Sequence, residues 1–278
     1  MQTSKVFETL KYDVLEGGVV HVRFNRPRTF NSMTNQFFSE LTEFFSRFVY
    51  TLGDVRAIAL TGEGKHFSSG LDLKEAAQLF TPNDEKDQGR KGIALYEHIR
   101  FIQKSLTAIE KCKVPVVAGI HGYCLGAGID LITCCDIRFC EEQAQFSIKE
   151  IDLGIVADVG TLQRLPHIVG NDSLMRELAY TGKTFGAKEA KELGLVSKIC
   201  KDKKELEESV IAMAKVIAEK SPVVVWGIKK VLNKNRKSNV KEGLDYVAMA
   251  NMSLLSSTDV MEAVTAGMSK TKAMFPKL

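Results

Sequence analysis

Apolar residues recur along this chain with two distinct periods, and the switching between them points to a layered α/β fold. In residues 19–24, Val20, Val22 and Phe24 alternate with His21 and Arg23. That is the two-residue period of a half-buried strand, ended by Asn25-Arg26-Pro27-Arg28. In residues 34–50, Phe37, Phe38, Leu41, Phe44, Phe45 and Phe48 recur at helical spacing, with Thr34 placed to cap the helix start. Residues 55–60 and 114–120 read as short buried strands, each running into a glycine-bearing turn. Residues 122–128 form a turn that opens a helix reaching about Cys135, and 136–140 and 145–148 read as further strands. The polar stretch 81–92 reads as a surface loop or a frayed helix. Beyond Lys201 the pattern is almost wholly helical, over 204–219, 222–233, 240–255 and 260–269. Strands alternating with helices predict α/β layers, with a core over residues 1–200 and a helical oligomerisation region over 201–278.

Composition narrows the class. The 278 residues are 45% hydrophobic and 26% charged, the make-up of a globular protein with a substantial core. A net charge of +4, from 38 basic and 34 acidic residues, gives no footprint for nucleic acid but suits an anionic ligand. The six cysteines form no C-x-x-C pair and lie mostly in apolar stretches, which reads as buried reduced thiols. The five histidines show no metal spacing, so no metal site is expected. No apolar run reaches the roughly 18 to 20 residues that span a bilayer.

The chemistry concentrates between Gly122 and Asp158, where Asp130, Glu150 and Asp158 stand in apolar surroundings. Asp130 interrupts Ile129, Leu131 and Ile132, and Asp158 is flanked by Val156, Ala157 and Val159. Burying an unpaired carboxylate is costly, and its pKa rises until it exchanges a proton near neutrality. Three such groups in one stretch point to proton transfer. Each also has a structural reading: Asp130 paired with Arg138, Glu150 on an exposed turn, Asp158 as a helix N-cap. Two small-residue stretches, 66–73 (HFSSGLDL) and 121–131 (HGYCLGAGIDL), let backbone amides approach a ligand closely. Neither contains G-x-G-x-x-G or G-x-x-x-x-G-K-[ST], which excludes dinucleotide and P-loop readings, and no G-x-S-x-G supports a serine hydrolase.

Taken together these stretches resemble the enoyl-CoA hydratase/isomerase (crotonase) superfamily over nearly the whole chain. Residues 150–166 (EIDLGIVADVGTLQRLP) resemble its Δ3,5-Δ2,4-dienoyl-CoA isomerase branch, where a carboxylate at the place of Asp158 sets it apart from hydratases. The resemblance implies a crotonase-like spiral of ββα units with a C-terminal helical trimerisation region, assembled as a homotrimer or homohexamer. It implies that the amides of Leu71 and Ala127 form an oxyanion hole for an acyl-CoA thioester, each worth typically about 3 kcal/mol. It implies conversion of 3,5-dienoyl-CoA to 2,4-dienoyl-CoA in unsaturated fatty-acid β-oxidation, with Glu150 at the α-carbon, Asp158 at the ε-carbon and Asp130 tuning them. An enoyl-CoA hydratase or Δ3-Δ2-enoyl-CoA isomerase on the same scaffold is the alternative.

By the same carry-over, Ser68, Gly70, Asp72, Gly126 and Arg28 line the substrate site, Asp72 also bracing the turn after Leu71. Arg26 shares the CoA phosphates with Arg28. His66 and His121 brace the ligand loops, and the basic run 229–237 reads as a solvated helix face. No cofactor is expected beyond the CoA carried in by the substrate, and no nucleic-acid partner. The final Pro276-Lys277-Leu278 resembles the S-K-L peroxisomal address with proline first. A peroxisomal location is therefore expected, with the mitochondrial matrix as the other reading.

Overall fold

The computed structural model describes residues 5–79, 87–236, 240–255 and 257–277. Residues 81–86 of the polar stretch and Leu278 of the C-terminal tripeptide lie outside the described residues. A six-stranded sheet runs in the order β1 (Leu10–Leu15), β2 (Val19–Phe24), β3 (Ala57–Gly62), β4 (Val116–Ile120), β6 (Ile137–Glu141), β9 (Lys198–Cys200). Only the β1–β2 pair is antiparallel. A second sheet of β5 (Tyr123–Leu125), β7 (Gln145–Ser147) and β8 (Phe185–Gly186) stands beside it. Where a turn alone was expected after Gly122, residues 123–125 instead pair in parallel with 145–147. A neighbouring strand supplies what local sequence does not.

Eleven helices are defined among the described residues: α1 (Asn35–Ser46), α2 (Leu73–Leu79), α3 (Gln88–Lys111), α4 (Ala127–Thr133), α5 (Thr161–Arg164), α6 (Asp172–Thr181), α7 (Ala187–Glu192), α8 (Lys203–Ala218), α9 (Pro222–Asn235), α10 (Val240–Leu254) and α11 (Thr258–Ser269). In α1 the Thr34 hydroxyl accepts from the Phe37 amide, as its position predicts, and Phe37, Phe38, Leu41, Phe44 and Phe45 are buried. Fully burying one such side chain stabilises the fold by about 1.5–3 kcal/mol. Helix α3 packs along α1. It begins inside the stretch expected to be a surface loop or a frayed helix, where Asp87 caps it by accepting from Arg90 N at 3.0 Å.

The helix expected to begin the separate C-terminal module lies on the sheet. Leu206, Val210 and Ala214 of α8 form one cluster with Val19, Ala57, Ala59, Val117 and Phe139. Helix α9 is tied down by Lys229, which departs from the solvated face expected of its basic run. Its side chain is 5% exposed, and the ammonium donates to Asp136 Oδ2 (2.8 Å), Val114 O (3.0 Å) and Ile109 O (3.3 Å). All six cysteines are buried and unpaired. No described helix is long and apolar enough to cross a membrane.

Candidate active site

The two small-residue loops meet through their backbones. Ser68 bridges Cys124, with Ser68 N donating to Tyr123 O at 2.9 Å and Leu125 N to Ser68 O at 3.1 Å. On the other side Met33 bridges Leu71, through Met33 N to Gly70 O (2.8 Å) and Asp72 N to Met33 O (2.9 Å). Gly70 has φ +89°, and a Cβ there would stand 2.8 Å from Leu125 O and 3.4 Å from Ala127 N. Glycine therefore brings the Gly70-Leu71 peptide directly against the start of α4. Gly126, at φ +52°, is held by its amide to Ser147 O and turns the following peptide into the helix. Among the described residues neither the Leu71 amide nor the Ala127 amide donates to a protein acceptor. Two adjacent, unengaged N–H groups are the elementary parts of an oxyanion hole.

The carboxylates gather beside these amides. A Cβ on Gly126 would lie 3.3 Å from Glu150 Oε1, which places the Glu150 carboxyl next to the Ala127 amide. Asp130, one turn into α4, is 0% exposed and accepts from Thr161 N at 2.5 Å, so it and not Asp158 caps α5. Arg138, its alternative partner, instead donates to the carbonyls of Leu195 and Cys135. Asp130 Oδ2 and Glu150 Oε2 are buried with no donor. Two ionised carboxylates have none to offer each other, and a single proton between them resolves both orphans.

Burial, opposed by Thr161 and Arg164, pushes Asp130 up to about 6. Burial and then the charge of Asp130 push Glu150 up to about 8, with a smaller push from Asp158. Burial and the like charge between them therefore raise the proton affinity of both acids and disfavour the doubly ionised pair. Asp158 is half-buried, its carboxyl raised by burial and pulled back by His98.

The remaining expected site residues divide. Gly70 and Gly126 shape the amide pair. The Ser68 hydroxyl, expected to line the substrate, is wholly buried, donating to Asn31 O (2.9 Å) and accepting from Gly70 N (3.1 Å); it braces the loop. Asp72 is likewise a brace, accepting from Ser32 Oγ (2.9 Å) and Arg26 Nη2 (3.2 Å). That engagement ties Arg26 into the loop, while Arg28 stays exposed. His66 Nδ1 accepts from Tyr123 N at 3.1 Å and stacks on the Tyr123 ring, and His121 Nε2 pairs with Gly64 O at 3.1 Å, both as loop braces.

Two residues of α3 that the sequence does not mark also enter the site. Gln103 Nε2 donates to Asp158 O at 2.6 Å. His98 lines a small cavity together with Leu71, Met33 and Ile102. Among the described residues no group of His, Cys, Asp and Glu is arranged to hold a metal ion.

An α/β spiral that sets two unengaged amides against a carboxylate cluster is the architecture of the crotonase class. The chain belongs to the enoyl-CoA hydratase/isomerase family, whose profile matches residues 15–277. It is 47% identical to the peroxisomal Delta(3,5)-Delta(2,4)-dienoyl-CoA isomerase of Arabidopsis thaliana, over 100% of this chain and 99% of that protein. It is 43% identical to the mitochondrial enzyme of the same name from Mus musculus, over 98% and 84%. Among solved structures, an enoyl-CoA hydratase from Bacillus anthracis superposes with TM-score 0.86 at 30% identity, over 96% of this chain and 99% of that one.

Proposed function

We propose that the protein is a Δ3,5-Δ2,4-dienoyl-CoA isomerase. The observation that carries this reading is the third acid: Asp158 is half-buried and close enough to Glu150 for its charge to raise Glu150. A 3,5-dienoyl thioester loses a proton at its α-carbon, the electron pair spreads into a dienolate, and a proton arrives at the ε-carbon to leave the 2,4-diene. The Leu71 and Ala127 amides grip the thioester oxygen as it gains charge, so they favour the transition state over the ground state.

Glu150, beside the Ala127 amide, stands at the α-carbon end, and Asp158 serves the ε-carbon further along the chain. One carboxylate cannot reach both. Asp130 sets the proton affinity of Glu150 by its charge. An ordinary carboxylate is a weak base for a carbon acid, and a pKa raised towards working pH makes Glu150 a better one. Arg28 is exposed, which leaves its guanidinium accessible to a CoA phosphate.

Helices α10 and α11 leave Leu244, Met249, Met252, Met261 and Met268 exposed by 62% to 83%. Such an apolar surface fits a homotrimer or homohexamer built through this region. The relatives' names carry the words peroxisomal and mitochondrial, the two compartments that fit this reading.

The test is to offer 3,5-octadienoyl-CoA and a 2-enoyl-CoA separately and follow the conjugated diene in the ultraviolet. The expected result is rapid diene formation that Asp158→Asn abolishes. Rapid hydration of the 2-enoyl substrate without any diene signal would sink the proposal in favour of a hydratase.

A further inference from the structure

An acid that delivers a proton to one carbon of a bound chain must be held in place, and the chain around Asp158 supplies little of that hold. Residues 155–158 belong to no helix or strand. Ile155 N still donates to Glu150 O at 3.0 Å, which ties it to the 3-10 turn Lys149–Leu153, and α5 starts only after Gly160. Buried Ala157 and Val159 anchor the segment by apolar contact, which is not directional. Among the described residues, one hydrogen bond reaches 156–159 from elsewhere in the fold: Gln103 Nε2 donates to Asp158 O at 2.6 Å.

The Gln103 amide has a single satisfactory orientation. Its Oε1 accepts from Arg100 Nη1 at 2.7 Å, one turn back on α3, while its Nε2 meets the Asp158 carbonyl. Turned over, it would set an NH2 against a guanidinium and an oxygen against a carbonyl. Arg100 therefore fixes the amide, and the amide fixes the main chain that carries Asp158. Glu150 is held independently, since among the described residues no hydrogen bond links its 3-10 turn to α3.

Resting on the isomerase reading, we infer that Arg100 and Gln103 form a clamp that aims Asp158 at the ε-carbon. Gln103 is a positioning residue, acting on substrate only through Asp158. Opening the clamp uncouples the two proton transfers. Glu150 still takes the α-proton, exchanges it with solvent and returns it to the α-carbon. The dienolate is then protonated less often at its far end.

The experiment gives the full chain and its Gln103→Met variant 3,5-octadienoyl-CoA in deuterium oxide. Diene formation is followed in the ultraviolet, and α-deuterium in the remaining substrate by mass spectrometry. The clamp predicts kcat for diene formation lower by about tenfold in the variant, with KM unchanged and α-exchange within about twofold of wild type. The ratio of exchange to diene formation should therefore rise. An unchanged ratio overturns the inference, whether both rates hold or both fall together.

Arg100→Met supplies a second reading from an exposed side chain, with Gln103 left in place. Without its partner the amide can turn over, and the ratio should rise by a smaller factor, about threefold. A ratio equal to that of wild type overturns the two-residue clamp, and this variant decides alone should Gln103→Met fail to fold. A wild-type chain that forms no diene removes the isomerase reading itself. A wild type that forms diene, with the ratio unchanged in both variants, removes the clamp alone.

Discussion

Two buried polar clusters in this molecule follow opposite rules. At Lys229 an ammonium has three acceptors, two carbonyls and the Asp136 carboxylate, and Asp136 in turn accepts from Val116 N at 2.8 Å. Every valence is met, and the cluster fastens α9 to the sheet. At Asp130 and Glu150 two neighbouring buried acids each keep an orphan oxygen, and burial raises the proton affinity of both. Opposite charges that satisfy each other hold a fold together. Like charges that do not are held in place by the fold, and the surplus appears as reactivity.

The largest effect that would break this contrast is on activity. Glu150→Gln should lower kcat for diene formation about 10³-fold, measured by ultraviolet absorbance. The same change should stabilise the protein. The Glu150 pKa is raised from 4.5 to about 8, so between those values the folded chain binds more protons than the unfolded one, and stability falls as pH rises. Thermal unfolding should accordingly show a gain for Glu150→Gln that is larger near pH 8 than near pH 5.

The structural cluster should behave in the converse way. Lys229→Met leaves Asp136 unpaired and should cost about 3 kcal/mol in denaturant unfolding, with kcat per folded molecule unchanged. Gly70→Ala should lower kcat/KM about 10²-fold, because its Cβ would press on Leu125 O and the Ala127 amide. Asp130→Asn removes the charge that raises Glu150. The pH at which the rate rises should then move about one unit lower, read from a pH–rate profile.

Legibility in the sequence followed contrast. The alternation in β2 and the phenylalanine stripe of α1 stand out because one face is buried and the other wet. Strands β5 and β8 span two or three residues and exist only because β7 lies between them, a non-local fact. Helix α3 was missed because its first half, including Ile93, Leu95 and Tyr96, is exposed and shows no stripe. His98 and Gln103 went unseen with it.

In the site, Asp130 and Asp158 were legible as charges interrupting apolar runs. The amides of Leu71 and Ala127 have no side-chain signature and rested on resemblance alone. The bracing role of Asp72 was legible, whereas the loop-bracing hydroxyl of Ser68 was not, because a polar residue in a ligand loop reads the same from sequence whether it touches ligand or braces the loop.

The most direct test of the account is exchange of the substrate's α-hydrogen in deuterium oxide, followed by mass spectrometry. If Glu150 serves the α-carbon and Asp158 the ε-carbon, Asp158→Asn keeps exchanging while forming no diene, and Glu150→Gln exchanges nothing. Exchange that survives in Glu150→Gln and vanishes in Asp158→Asn would contradict it.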